Sequence, residues 1–158
     1  MRFFQFLGLA LLLMLKFPVL AQMPGFVIKN EKEIPIKLDK VVKNNKYTLV
    51  DFWASWCAPC RVQAKELKEF YPEFKDKGFE VVGISIDTKK DAWNRAVAVD
   101  RNPWIQLSEL KGLKSDIAIF YKVKMVPQTV LLDKKGQIVA IGLHGRELKR
   151  KLGELFKN

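Results

Sequence analysis

The chain has 158 residues, of which 49 % are hydrophobic, and a formal net charge of +11. This composition is that of an ordinary globular protein and excludes a low-complexity or disordered chain. Two cysteines allow at most one disulfide within the chain and exclude a small fold held together by several.

The first 21 residues have the layout of a secretory signal peptide. Arg2 gives a positive start, the apolar run Phe3–Leu15 follows, and Ala21 is a small residue suited to cleavage. The run is shorter than the roughly 20 residues that span a bilayer, which argues against the alternative of a retained anchor. We therefore expect residues 1–21 to be removed on export to the periplasm or cell envelope, and residues 22–158 to form one domain.

The basic charge does not indicate nucleic-acid binding. The signal segment contains Arg2 and Lys16 and no acidic residue, so subtracting these two charges from +11 leaves +9 for the rest. The remaining lysines are scattered among glutamates and aspartates, which is typical of solvated helix faces, and no groove-reading motif is present. We expect no nucleic-acid partner; such a charge favours acidic proteins or anionic membrane surfaces.

The first elements lead to one strongly apolar strand. A short strand is predicted at Phe26–Lys29, and IPIKLDKVVKN predicts another strand followed by a brief helix. The run Tyr47–Ala54 is rich in β-forming residues with almost no polar break, as expected of a central strand buried on both faces.

A long helix and a second buried strand follow. The helix is predicted from about Cys57 to Lys77 by apolar residues at helical spacing. Pro72 is expected to kink or end it near Tyr71, and Gly78 to close it. With the apolar strand Phe79–Asp87, these elements predict a βαβ unit and a parallel strand pair.

The sequence after the second buried strand predicts two helices, a β-hairpin and a final amphipathic helix. A helix is expected at Thr88–Asp100, a short strand in Trp104–Leu110, and a helix that leads into a loop within Ser115–Val123. Strands Thr129–Asp133 and Gln137–Leu143 form a hairpin through DKKG, and RELKRKLGELF forms the final helix. The order predicts an α/β fold, a mixed sheet with helices on both faces.

Cys57 and Cys60 are the two cysteines of the chain, and they stand between the first buried strand and the long helix. A zinc site needs about four ligands, whereas the sequence offers no second cysteine pair and a single histidine, His144. A structural disulfide across so short a loop stabilises a fold little. A redox-active pair is the favoured interpretation, with the other two as its alternatives.

A helix that begins near Cys57 favours thiolate chemistry at that residue. Its sulfur lies at the positive end of the helix dipole, beside backbone N–H groups without helical partners, and both stabilise a thiolate. Cys60 lies one turn further, within reach of a mixed disulfide formed on Cys57. Pro59 is tolerated in the first helical turn, and Trp56 is expected to form an apolar wall that partly shields the thiol.

The segment FWASWCAPCR resembles the active site of the thioredoxin superfamily. KGFEVVGISID, the added stretch around residues 88–122 and VPQTVLLDKKGQIVA are similar to its exported branch, the TlpA/ResA-like thiol–disulfide oxidoreductases of the redoxin type. The resemblance covers most of the chain from about residue 25 to its end. It implies the thioredoxin fold: an α/β protein whose central mixed sheet is flanked by helices, with an N-terminal extension and a helix/strand insertion around 88–122.

The resemblance also implies roles for individual residues. Cys57 is then the attacking cysteine and Cys60 the resolving one. Pro127 is a cis-proline that faces the dithiol, and Val126 before it offers backbone hydrogen bonds to a bound substrate chain.

Asp51 matches the buried acidic residue of thioredoxins. An aspartate in an apolar strand is costly unless it has a partner or a function. We hypothesise that its pKa is raised and that it accepts a proton from Cys60 through water. The alternative is a strand-end residue whose carboxylate lies in solvent.

Two positions depart from the TlpA/ResA pattern. Where that pattern often has a glutamate this chain has Gln63, and where it often has a proline this chain has Lys65. Because Gln63 does not titrate, this chain gives no support for the pH response attributed to that glutamate. It also gives no support for an assignment to cytochrome c maturation.

The expected function is that of an exported enzyme, a reductant of disulfides in other exported proteins. No metal or organic cofactor is expected; the expected partners are cysteine-containing exported proteins and a membrane thiol electron donor, and the chain is expected to be a monomer. A thiol peroxidase is one alternative, although such an enzyme has Thr or Ser at the position of Ala54. A non-enzymatic binding module is the other, and the presence of both cysteines with Trp56 and Pro127 argues against it.

Overall fold

Seven strands form one mixed β-sheet in the computed structural model, which describes residues 23–157. The predicted signal peptide of residues 1–21 lies outside the described residues. Within the described part, no helix is long and apolar enough to cross a bilayer. The strands are β1 (Val27–Asn30), β2 (Pro35–Lys37), β3 (Tyr47–Trp53), β4 (Phe79–Ser85), β5 (Ile105–Ser108), β6 (Gln128–Asp133) and β7 (Ile138–Ile141). The helices are α1 (Leu38–Asn44), α2 (Ala58–Lys75), α3 (Lys90–Asp100), α4 (Asp116–Phe120) and α5 (Gly145–Leu155), with a 3₁₀ turn at Gly112–Lys114.

The sheet has the strand order β2-β1-β5-β4-β3-β6-β7. Strands β3, β4 and β5 run parallel, and the remaining neighbours pair antiparallel. The parallel pair β3–β4 with α2 between them is the predicted βαβ unit. Strands β6 and β7 form the predicted hairpin, with Gly136 at a φ of 78° in its turn. The prediction of a mixed α/β sheet is confirmed.

Helices cover both faces of the sheet, and alternation along β3 decides which side chains meet which helices. Val50 and Phe52 pack in a hydrophobic cluster that includes residues of α1 and α4. Leu49 packs on the opposite face with residues of α2 and α5. Because successive strand residues point to opposite faces, Asp51 lies on the same face as Leu49, under α2.

Helix α2 does not end near Tyr71, so that part of the prediction is wrong. The helix runs through Pro72 to Lys75. Proline removes one backbone hydrogen bond, but Tyr71 and Phe74 on either side of it are buried in the cluster under α2 and α5, and this packing holds the chain helical. Gly78, at a φ of 100°, then closes the segment and donates its N–H to the carbonyl of Lys75.

The second helix of the insertion leads into a loop, as predicted. The predicted span Ser115–Val123 contains α4 only at Asp116–Phe120. The chain leaves the helix because Lys122 takes a left-handed conformation, with a φ of 54°, and the N–H of Val123 bonds back to the carbonyl of Ala118.

Candidate active site

Cys57 and Cys60 are joined by a disulfide at the start of α2, at the carboxyl end of β3. Cys57 is the residue that caps the helix, and its Sγ accepts the N–H of Cys60 at 3.3 Å. The N–H of Cys57 itself bonds the carbonyl of Ala54 at 3.0 Å, closing the turn between strand and helix. Pro59 lies in the first helical turn, as predicted.

The capping position gives Cys57 the electrostatic setting that the sequence predicts. The sulfur lies at the positive end of an 18-residue helix whose first turn contains no acidic residue. Backbone N–H groups in a first turn have no helical partner and attract negative charge. We expect this position to stabilise a thiolate on Cys57 in the reduced protein.

The apolar surroundings of the disulfide come from the core rather than from Trp56. Cys57 and Cys60 are 4 % and 2 % exposed and belong to a cluster with Trp53, Ala54, Ile86, Trp93 and Ala96. Trp56 is 68 % exposed, so most of its ring faces solvent. The strand ends and α3 supply the shielding within the cluster, and the part of Trp56 as a wall beside the thiol stays a prediction.

The loop before β6 reaches the same cluster. The Val126–Pro127 peptide bond is cis, as the resemblance implies. Val126 is half-buried and packs against the cluster that contains both cysteines. The structure thus brings Val126, which is far from the cysteines in sequence, to the cluster that holds the disulfide, with the cis bond to Pro127 directly after it.

Asp51 is buried, and the alternative of a carboxylate in solvent is wrong. Its exposed fraction is 3 %, and burial raises the pKa of its carboxyl from 3.8 to about 7. The Nε2 of Gln63 donates to its Oδ1 at 3.4 Å. Gln63 stands three residues after Cys60 in α2 and therefore on the same side of the helix, so Asp51 lies beneath the helical turn that holds Cys60.

An anchor of the active-site loop was missed in the sequence. Asp87, just beyond β4, is 2 % exposed and accepts three hydrogen bonds there. Ser55 donates its backbone N–H at 2.9 Å and its hydroxyl at 2.6 Å, and the Ser85 hydroxyl donates at 2.7 Å. Asp87 therefore holds the loop two residues before Cys57. The only sequence signal was an acidic residue at the end of an apolar strand.

A partly buried ion pair fixes the other side of the disulfide turn. The Nε of Arg61, the residue after Cys60, donates to both carboxylate oxygens of Asp100 at 3.0 and 2.9 Å. The Nζ of Lys68 donates to the backbone carbonyl of Asp100 at 2.7 Å. These bonds join the start of α2 to the end of α3. Within residues 23–157, no group of three or more His, Cys, Asp or Glu side chains is placed to hold a metal ion.

Comparison with known proteins agrees with this geometry. Residues 19–141 match the AhpC/TSA family. Among curated proteins, the thiol-disulfide oxidoreductase ResA of Bacillus anthracis is 28 % identical over 142 residues, covering 85 % of this chain and 74 % of ResA. The thiol:disulfide interchange protein HelX of Rhodobacter capsulatus is 33 % identical over 101 residues, covering 64 % of this chain and 54 % of HelX.

Solved structures show the same fold. A thiol-disulfide oxidoreductase from Bacteroides fragilis superposes with a TM-score of 0.77 at 36 % identity, covering 85 % of this chain and 98 % of that one. The C-terminal domain of a putative thiol-disulfide oxidoreductase from Bacteroides thetaiotaomicron also gives 0.77, at 32 % identity, covering 86 % of this chain and 94 % of that one. The chain has the thioredoxin-like fold and belongs to the AhpC/TSA family.

Proposed function

We propose that this protein is an exported thiol–disulfide oxidoreductase that reduces disulfides in other exported proteins through Cys57 and Cys60. The observation that carries the proposal is the cysteine pair at the positive end of α2, beside the loop of Val126 and cis Pro127. The relatives named as thiol-disulfide oxidoreductases support the same reaction class.

The proposed reaction has two exchange steps. The Cys57 thiolate attacks one sulfur of a substrate disulfide, the substrate S–S bond breaks, and the first substrate thiolate leaves. Asp51 accepts the proton of Cys60 through water, and the Cys60 thiolate attacks the Cys57 sulfur of the mixed disulfide. The second substrate thiolate then leaves and takes up a proton. The substrate has gained two electrons, and the enzyme holds the Cys57–Cys60 disulfide found in the structure.

The surroundings of the disulfide fit a protein substrate. Trp56 and Met125 are 68 % and 71 % exposed and stand next to Cys57 and Val126 in the chain. We propose that these apolar side chains contact the substrate polypeptide, while the backbone of Val126 hydrogen-bonds it. Pro59 restricts the first turn of α2 between the cysteines.

Turnover as a reductant requires an external source of electrons. We propose a membrane thiol donor that returns the Cys57–Cys60 disulfide to the dithiol, and cysteine-containing exported proteins as substrates. Residues 22–158 then act as one thioredoxin-like domain, as a monomer, in the periplasm or cell envelope.

The first test is the reduction potential of the cysteine pair, measured by equilibration with glutathione or dithiothreitol and thiol alkylation. A potential near or below about −230 mV supports a reductant, and one near about −120 mV, the value of a strong oxidant, contradicts it. A Cys60→Ser variant is expected to accumulate a mixed disulfide with a substrate protein through Cys57. A Cys57→Ser variant is the matched control and is expected to trap none.

Thiol peroxidase activity is the second candidate, because the AhpC/TSA match is to a redoxin family. A peroxidatic cysteine has Thr or Ser three residues earlier to hold the peroxide, and Ala54 in that position has no hydroxyl. We expect peroxide consumption by the reduced protein close to that of a double serine variant. The double variant also tests the non-enzymatic binding module, which would keep full biological activity without either cysteine.

A further inference from the structure

Gln106 is a buried polar side chain that the proposed reaction does not yet use. It lies in β5 with 5 % exposure. Neither its Oε1 nor its Nε2 has a hydrogen-bond partner within residues 23–157. A buried amide without partners is costly and rare in folded proteins. Its position therefore calls for an explanation.

The sheet register places Gln106 in one row with Asp51. Asp51 in β3 is level with Gly83 in β4, and Gly83 is level with Gln106 in β5. Residues level with each other in a sheet project from the same face. Gly83, in the middle of the row, has no side chain to separate the other two.

The amide of Gln106 lies over Gly83. A Cβ atom added to Gly83 would clash with the Gln106 Oε1 and stand 2.8 Å from its Cδ and 2.9 Å from its Nε2. The amide has thus crossed the width of one strand towards Asp51. Neighbouring strands are about 4.8 Å apart, so roughly one strand spacing remains to Asp51, a gap that one bridging water fits.

The side chains around Asp51 are otherwise neutral. Gln63 from α2 donates to Oδ1, and Thr129, its neighbour in β6, turns its hydroxyl to the carbonyl of Leu143. Burial raises the pKa of Asp51, and among the described residues the one side chain that hydrogen-bonds its carboxylate is the neutral amide of Gln63. Cys60, in the turn of α2 above it, titrates only when the disulfide is reduced.

We infer that Gln106 is a positioning residue for Asp51: its amide, lying across Gly83 and acting through a bridging water, completes a polar pocket whose opposite wall is Gln63. The pocket keeps one carboxylate oxygen on the Gln63 amide and the other open to the water that carries the proton of Cys60. Gly83 is the residue that gives the amide its room. The role in turnover rests on the proposed function, whereas the pocket itself can be tested without it.

The test is the titration of the Asp51 carboxyl carbon by NMR in the oxidised protein, in which neither cysteine titrates. In Gln106→Met the ionised carboxylate loses its polar contact, so we expect the Asp51 midpoint to rise by about one pH unit. An unchanged midpoint in a folded Gln106→Met variant overturns the inference.

Thr48→Val is the matched control. Thr48 is fully buried with an unpartnered hydroxyl, and it lies in β3 like Asp51 but on the opposite face. A merely structural effect of removing a buried polar group would appear in both variants. We expect the Asp51 midpoint in Thr48→Val to equal that of the wild type, and an equal rise in both variants contradicts a specific role of Gln106.

Gly83→Ala gives a second route if Gln106→Met does not fold. The new methyl group displaces the flexible end of Gln106, so the Asp51 midpoint is expected to rise as well. In a Gln106→Ala background the same methyl displaces nothing, and no further rise is expected. A full additional rise in that background would overturn the inference.

The pH profile of mixed-disulfide resolution separates this inference from the proposed function. If Asp51 takes the proton of Cys60, the profile moves with the NMR midpoint in Gln106→Met. If the Asp51 midpoint changes in Gln106→Met while the pH profile of resolution does not, the pocket is supported and the proton-acceptor role of Asp51 is contradicted.

Discussion

The carboxyl group of Asp51 lies inside the sheet, and burial raises its pKa from 3.8 to about 7. The folded state therefore binds more protons than the unfolded state between about pH 4 and pH 7, and the free energy of unfolding falls as the pH rises through this window. The difference between these two pKa values corresponds to a change of at most roughly 4 kcal/mol in the free energy of unfolding. Asp51→Asn keeps the acceptor for Gln63 and cannot ionise. We expect urea unfolding of the oxidised variant to lose much less stability between pH 4 and pH 8.

Asp76, which is exposed, provides the control for that experiment. Asp76→Asn removes an aspartate without removing a buried carboxyl group, so its stability should follow the pH as the wild type does. Equal pH dependence of the wild type and Asp51→Asn would contradict a raised pKa at Asp51.

We predict that replacing Asp87 lowers the stability, because its hydrogen-bond donors lose their acceptor. Asp87→Ala leaves the Ser55 N–H and the Ser55 and Ser85 hydroxyls without their acceptor. Buried donors without partners cost about 1–3 kcal/mol each, and hydroxyls can rotate to other acceptors, so we expect a loss of about 2–4 kcal/mol by urea unfolding. Ser55→Ala removes one of the three bonds and should cost about 1 kcal/mol. Equal losses in the two variants would contradict an anchoring role for Asp87.

The site residues that were predicted from the sequence belong to local motifs. Cys57, Pro59 and Cys60 are adjacent in one motif, and Pro127 was found through its own strand-start sequence. Ser55 and Asp87 are 32 positions apart, and Arg61 and Asp100 are 39 apart. Only the sheet register and helix packing bring such pairs together, and no local pattern in the sequence reports them.

At the scale of elements, the contact between α2 and α3 gives a prediction about ion pairs. The Arg61 and Asp100 side chains are 35 % and 11 % exposed, and the guanidinium contacts both carboxylate oxygens. Charge-assisted bonds of this type are stronger than exposed pairs. We expect Asp100→Asn to lower the free energy of unfolding by about 1 kcal/mol, measured with urea.

The pair Lys149–Glu73 between α5 and α2 is the matched control. Both of its side chains are about half exposed, at 47 % and 49 %. Lys149→Gln should change the stability by less than about 0.5 kcal/mol. If Lys149→Gln lowered the free energy of unfolding as much as Asp100→Asn, burial would not explain the strength of the Arg61–Asp100 pair.

Elements with long apolar runs were predicted with nearly correct ends, and elements held by packing were not. Strand β3 was expected at Tyr47–Ala54 and runs over Tyr47–Trp53, because burial on both faces leaves an almost unbroken apolar sequence. Helix α2 continues past Pro72 because aromatic residues on both sides of the proline are buried. Local propensity reports the cost of proline, but tertiary packing decides whether that cost ends the helix.

The stability of the whole molecule comes from the hydrophobic clusters on the two faces of the sheet rather than from its disulfide. The two clusters on opposite faces of the sheet contain buried residues from five of the seven strands and four of the five helices. The Cys57–Cys60 bond closes a loop with a sequence separation of only 3, and so short a loop constrains the unfolded chain little. The protein is therefore suited to a disulfide that opens and closes while the fold persists.

The predicted signal peptide gives a prediction about the exported chain. Met23 already packs against the core cluster on the α1 side of the sheet, and cleavage after Ala21 leaves one residue before it. We expect intact-mass spectrometry of the exported protein to give a chain that starts at Gln22. Ala21→Trp places a bulky residue at the cleavage site and should block processing.

Leu20→Phe is the control, because the position between the two small-residue positions of a cleavage site tolerates large side chains. This variant should be processed like the wild type. A wild-type chain that keeps residues 1–21 and sediments with the membrane fraction would contradict cleavage. The domain would then act from a membrane anchor.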